Sequence, residues 1–216
     1  MITLHFLPGA ASLAPHILLN EIGVAFELRR VDCDAGEHKL PAYLAMNPNG
    51  LIPVLVDGDL VLFESVAIGL HLADTHPAAG LAPALGTPER AHFYKWLVWL
   101  TNTMQAHLIH YFYPERMVDE GFAAGVAQVK AHAQARVQGC LVQLDEQLAR
   151  HGGPWLLGDH YSAADAHAFM LCRWTRNFSD RPGRAHPRIA PYLQRMLLRP
   201  AVQRAFATEG LQPPLV

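Results

Sequence analysis

The spacing of apolar positions changes once along the chain. Up to about Asp74 they fall in short β-rich runs separated by helical stretches: ITLHFL, a helix from Ser12 to Gly23, FELRRVD, a short helix near Pro41 to Met46, and a hairpin. In IPVLVDGDLVLFE two such runs flank Asp57-Gly58, a pair that supplies positive φ for a tight antiparallel turn. A further helix runs from Ser65 to about His76. An early βαβ unit gives parallel strands and a late hairpin gives antiparallel ones, so this order predicts a mixed sheet.

The stretch THPAAGLAPALGTPER has no period and reads as a linker over residues 78–86. Beyond it the pattern is helical. Thr87 caps a helix with Pro88 at its first position, an apolar-periodic segment runs from Asp119 to Arg150, and HGGPW interrupts it. In YSAADAHAF, Ser162 and Asp165 form the acidic version of a capping box, which assigns Asp165 a structural role. Helices over Pro187 to Leu198 and Pro200 to Glu209 complete the chain. The expected fold class is α/β plus all-α, with an N-terminal domain over 1–77 and an all-helical domain over 87–216.

Composition narrows the partners. Seventeen Lys and Arg against nineteen Asp and Glu give a net charge of -2, and the basic residues are dispersed, which argues against a nucleic-acid partner. Charges or prolines break every apolar run before membrane-spanning length, so a cytosolic protein is expected. Cys33, Cys140 and Cys172 form no CxxC and read as reduced, packed thiols.

Candidate chemistry gathers at the strand ends. Ser12 follows the tight turn LPGAAS, where its hydroxyl is either a hydrogen-bond donor to a ligand or the cap of the helix LAPHILL. Pro53 opens a core strand, where proline removes a ladder donor. Either it lies on an edge in trans, or a cis Ile52-Pro53 bond turns the Ile52 backbone outward to pair with an extended peptide. Ser65 offers a hydroxyl and free amides at a helix start, and Glu64 can accept from an ammonium group, so the pair suits an α-amino acid head group or is a plain cap beside a surface acid. His107 and His110, with Tyr111 and Tyr113, suit the wall of a polar-aromatic pocket, or simple packing, better than a metal site, because no carboxylate or cysteine stands at a matching spacing.

PGAASLAPHILLNEIG, NPNGLIPVLVDG, ESVAIGLHLAD and YSAADAHAF resemble the motifs of cytosolic glutathione S-transferases, the first most like the bacterial beta class. The resemblance covers nearly the whole chain. It implies a thioredoxin-like domain followed by a helical-bundle domain, assembled as a homodimer that uses glutathione as co-substrate and no metal. It further implies a cis Pro53, backbone pairing of Ile52 with the cysteinyl part of glutathione, Glu64 and Ser65 at the γ-glutamyl end, and Lys39 or His38 near the glycyl carboxylate. The sequence departs from the beta class at Ala11, where that class carries a cysteine. Phe6 and His5 stand where other classes place a tyrosine, and Gln105 lies near the position of a beta-class histidine. Ser12 is then the expected activator of the thiol. The expected reaction adds the glutathione thiolate to a small hydrophobic electrophile in detoxification, with His107, His110, Tyr111 and Tyr113 shaping the acceptor pocket. Reduction of a peroxide or mixed disulfide, or non-catalytic glutathione binding, are the alternatives.

Overall fold

Strand β1 (Ile2–Phe6) has four of its five residues buried, so it needs partners on both edges. The computed structural model, which describes residues 1–216, supplies them: β2 (Phe26–Arg30) pairs in parallel and β3 (Val54–Asp57) antiparallel, and β3 pairs with β4 (Leu60–Phe63). The sheet is mixed, in the order β2-β1-β3-β4. On the outer strand β2, Glu27, Arg29 and Arg30 are exposed, and such charges discourage pairing with another chain. In the hairpin Asp57 pairs with Leu60, so the loop is Gly58-Asp59, one residue later than the sequence suggests. Positive φ falls on Gly58 and not on Asp59, the sign pattern of a type II′ turn.

Helix α1 (Leu13–Ile22) and helix α3 (Ser65–Thr75) pack together, and α2 (Pro41–Leu44) is a single turn. Leu13, Ile17, Leu18 and Leu19 of α1 and Ile68 and Leu72 of α3 are fully buried, each contributing about 1.5–3 kcal/mol. A Cβ on Gly69 would lie 3.2 Å from Leu18 Cδ1, so glycine permits the approach of these helices.

The chain divides into two compact units, residues 1–83 with 195–215 and residues 84–194 with 216. Helix α9 (Pro200–Glu209) therefore belongs with the sheet, where the sequence pattern grouped it with the other late helices. It packs on α1, and Arg199 grips Glu21 with two hydrogen bonds of 2.6 and 2.9 Å.

In the second unit the Thr87 hydroxyl caps α4 (Pro88–Trp99) by accepting from the Arg90 amide at 3.2 Å. A π-helical segment, Leu100–Gln105, leads into α5 (Ala106–Phe112). Helix α6 (Ala123–Arg150) starts four residues later than the apolar period suggests. Asp119 to Phe122 form a turn instead, closed by the Phe122 amide on the Asp119 carbonyl at 3.2 Å, with Gly121 at φ +82°. Helix α7 (Ala163–Trp174) is buried from Ala163 through Arg173 and opens on the Ser162–Asp165 capping box. The Asp165 carboxylate accepts from the Ser162 amide at 2.9 Å and from the Leu156 amide at 2.8 Å. Helix α8 (Ile189–Leu197) precedes α9.

Candidate functional site

Strand register places three functional segments at one end of the sheet. His5 pairs with Val54, and Val54 pairs with Phe63. One step further along each strand lie the turn after β1, the residues before β3 and the start of α3. Neighbouring strands stand about 4.8 Å apart, so these segments share one rim. The loop after β2 leaves from the same end, with the Val31 amide on the Phe6 carbonyl at 2.9 Å.

The turn after β1 is closed by its own side chains. Ser12 is 0% exposed; its hydroxyl donates to the Leu7 carbonyl at 3.0 Å and accepts from the Leu7 amide at 3.2 Å. It makes no side-chain capping bond to α1, and its φ of -69° and ψ of -18° are helical rather than extended. The cap expected of Ser12 is thus corrected: its hydroxyl turns back to Leu7 and makes no bond to the amides of α1. The amides of Ala11 and Ser12 have no backbone acceptor, and Ala11 is partly exposed. Donors without partners at a helix start are suited to an anion.

A second contact on this turn comes from α9. The Glu209 carboxylate accepts from the Gly9 amide at 2.7 Å through one oxygen and pairs with His16 Nδ1 at 2.8 Å through the other. The His16 and Glu209 side chains are 1% and 0% exposed. Nothing local in the sequence signals this pair, because 193 positions separate its members.

Before β3, the Ile52-Pro53 bond is cis. The Leu51 carbonyl just ahead of it accepts two hydrogen bonds, from the Tyr43 hydroxyl at 2.9 Å and Asn47 Nδ2 at 2.8 Å. Burial, with Cys33 and Glu37 nearby, pushes the Tyr43 phenol up, which keeps it a donor. Gly50 has φ +58°, and a Cβ there would lie 2.8 Å from the His38 carbonyl oxygen and from Lys39 Nζ. Lys39 Nζ donates to the Gly50 carbonyl at 3.2 Å, which brings the Lys39 ammonium to this segment. Neither Tyr43 nor Asn47 stood out in the sequence, although Asn47 opens the NPNG turn.

At the start of α3, Glu64 is exposed and adopts φ 73°, ψ 114°, a sparsely populated conformation for a residue with a side chain. Ser65 beside it is buried. Strain of this kind clusters at binding sites.

None of the three cysteines replaces a nucleophile at this rim. Burial and the neighbouring Asp34, Asp32 and Glu37 push the Cys33 thiol up, and burial pushes Cys140 to about 11 and Cys172 to about 12. No group of three or more His, Cys, Asp or Glu is arranged to hold a metal ion. In the second unit, the rings of His107 and His110 meet in a T with centroids 6.5 Å apart. The Tyr111 ring lies tilted against Phe178 with centroids 4.3 Å apart, and Tyr113 lies under the Arg116 guanidinium at 3.9 Å. A cavity of about 140 Å³ in this unit is lined by Lys95, Trp96, Trp99, Gln143, Glu146, Gln147 and Arg150.

A four-stranded mixed sheet with a cis-proline at the head of its third strand, followed by a helical unit, defines a two-part thioredoxin-like architecture. The chain belongs to the glutathione S-transferase family: the family model for the N-terminal domain matches residues 1–74 and that for the C-terminal domain residues 99–200. It is 34% identical to glutathione S-transferase 3 of Zea mays, covering 94% of this chain and 93% of that one. It is also 30% identical to the disulfide-bond oxidoreductase YfcG of Escherichia coli, covering 95% and 94%. A glutathione transferase homologue from Sulfitobacter, solved with bound glutathione, superposes with a TM-score of 0.88 at 29% identity over 98% of this chain and 99% of that one.

Proposed function

We propose that the protein binds reduced glutathione at the rim of its sheet and adds the thiolate to a small hydrophobic electrophile. The observation that carries this reading is the shared rim of three segments: free amides at the start of α1, the cis Ile52-Pro53 bond, and the strained Glu64 ahead of Ser65. The Ile52 amide and carbonyl pair with the cysteinyl residue. Glu64 accepts from the γ-glutamyl ammonium, Ser65 and the amides at the start of α3 hold its carboxylate, and Lys39 meets the glycyl carboxylate. Ser12 shapes the turn, and the Ala11 and Ser12 amides receive the thiolate.

The energetics allow this without a side-chain activator. Lowering a thiol from about 8.5 to about 6.5 takes about 2.7 kcal/mol of preference for the thiolate. A hydrogen bond to a charged group supplies about 1.5–3 kcal/mol and a helix N-terminus about 0.3–1 kcal/mol. Exposed apolar residues on β4 (Leu60, Val61) and α4 (Tyr94, Val98) are surfaces that a second copy would cover, in keeping with a homodimer. A cytosolic location completes this reading.

The test is an ultraviolet titration of the thiolate of bound glutathione. A thiol that titrates at least one unit below the free peptide supports the transferase; binding with the thiol unchanged makes the protein a glutathione-binding scaffold. The kinship with a disulfide-bond oxidoreductase favours thiol-disulfide exchange as the second reading. Product analysis separates the two, since conjugation yields a thioether and exchange yields oxidised glutathione.

A further inference from the structure

Helices α5 and α6 bring three imidazoles and a guanidinium together. His107 and His110 stand three residues apart on α5, which keeps them on one face. His132 and Arg136 stand four apart on α6, and Arg136 Nε donates a long hydrogen bond to His132 Nε2 at 3.4 Å. The two helices pack along one another. After burial, the influences on His107 are Arg136, His110 and His132, all of which disfavour its protonation; no carboxylate is among them. The preceding π-helical segment, LTNTMQ, carries no titratable group. On the turn Pro114–Met117, which touches both helices, Glu115 is exposed and Arg116 is engaged over Tyr113. Lys130 of α6 lies 5.1 Å from the Tyr111 ring centroid and adds to the positive side.

A cluster of cationic and proton-accepting groups without an acid is unbalanced, and an anion is what balances it. We infer that the α5–α6 face is a proton-linked binding site for a small, multiply charged oxyanion (sulfonate, phosphate or carboxylate) held by His107, His110, His132 and Arg136. Arg136 supplies a permanent charge and a planar set of donors. The imidazoles supply N–H donors and the capacity to gain protons as the anion arrives. His132 already accepts at Nε2 from Arg136, so it offers Nδ1–H. Burial first, and then the neighbouring positive groups, disfavour the charged form of His107; a bound anion offsets both, so binding draws protons and tightens as pH falls. This site goes beyond glutathione binding at the sheet and needs no glutathione.

The test is calorimetric titration of the whole protein with benzene-1,3-disulfonate, whose own charge is constant over the range used. It is run without glutathione at about pH 5.5 and about pH 8, each in two buffers of different ionisation heat. The expected result is one site per chain, affinity about tenfold or more tighter at the lower pH, and net proton uptake. Arg136→Gln and His107→Gln each weaken binding about tenfold at the lower pH. Arg136 is exposed, so its variant keeps the wild-type unfolding temperature and glutathione affinity. Affinity independent of pH, absence of proton uptake, or several weak sites that are equally present in both variants would overturn the inference. A separate failure to bind glutathione would sink the transferase reading and leave this site standing.

Discussion

The Ser12 hydroxyl and the Leu7 backbone form a two-way latch, donating at 3.0 Å and accepting at 3.2 Å across five residues. The latch closes the turn that carries the Ala11 and Ser12 amides. Ser12→Ala leaves the part-buried Leu7 amide without its acceptor, while the Leu7 carbonyl keeps the Ala10 amide at 3.1 Å, at a cost of about 1 kcal/mol. Urea unfolding will register that loss. The thiol of glutathione bound to this variant is expected to titrate within about half a unit of the wild-type complex, because backbone amides receive it. A return to the free-peptide value would restore Ser12 as the donor.

Glu209 joins α9 to the same turn, and its removal tests how far the turn depends on it. Glu209→Gln keeps the size of the side chain but removes its charge and one of the two acceptor oxygens that face Gly9 and His16. A buried hydrogen bond weakened in this way costs about 1–3 kcal/mol. The expected outcome is a lower unfolding temperature together with weaker glutathione binding. Lower stability with unchanged affinity would confine Glu209 to a scaffolding role.

The Leu51 carbonyl sets the pose of Ile52 through Tyr43 and Asn47. Tyr43→Phe and Asn47→Ala each remove one donor, worth about 1 kcal/mol, and the affinity for glutathione is expected to fall about fivefold in each. Because both donors serve one acceptor, a double-mutant cycle on affinity should show coupling rather than simple addition.

His167 governs part of the acid response. It is buried in α7 beside Gln105, with Nε2 3.1 Å from Gln105 Oε1, and burial lowers it to about 4. An unfolded imidazole titrates near 6.5, so the unfolded chain binds more protons between those values. Stability therefore falls as pH drops below about 6.5, and the loss from this residue is complete below about 4, amounting to about 3 kcal/mol. His5 and His186 are lowered in the same direction, by burial first. Chemical unfolding across this range should give a shallower slope for His167→Gln than for wild type; equal slopes would show that His167 is not the group responsible.

Much of the framework is written locally. Pro200 at a first helical position and Gly210 in the left-handed region after Glu209 bracket α9, and Thr87-Pro88 opens α4. The sheet order follows from where the hairpin falls. What escaped local reading depends on partners that no period encodes. Ser12 stands where a cap belongs, yet its hydroxyl turns back to Leu7 instead of forward to α1. The apolar period runs through Asp119 to Phe122, but Gly121 at φ +82° makes a turn there. The Glu64-Ser65 pair was visible as chemistry, while the φ of 73° at Glu64 is imposed by the junction of β4 with α3. The contact of Tyr111 with Phe178, far along the chain, has no local signal.

The bond from Gly9 to Glu209 spans 200 positions. At about 5–20 residues per second, the ribosome makes the second partner about 10–40 s after the first. A nascent chain can lay down β1 and α1 early, but the turn between them stays unfinished until Glu209 has been made. A message interrupted before α9 would then yield a chain with most of its helices and an open turn at the sheet rim, so synthesis through α9 itself acts as a check on the proposed site.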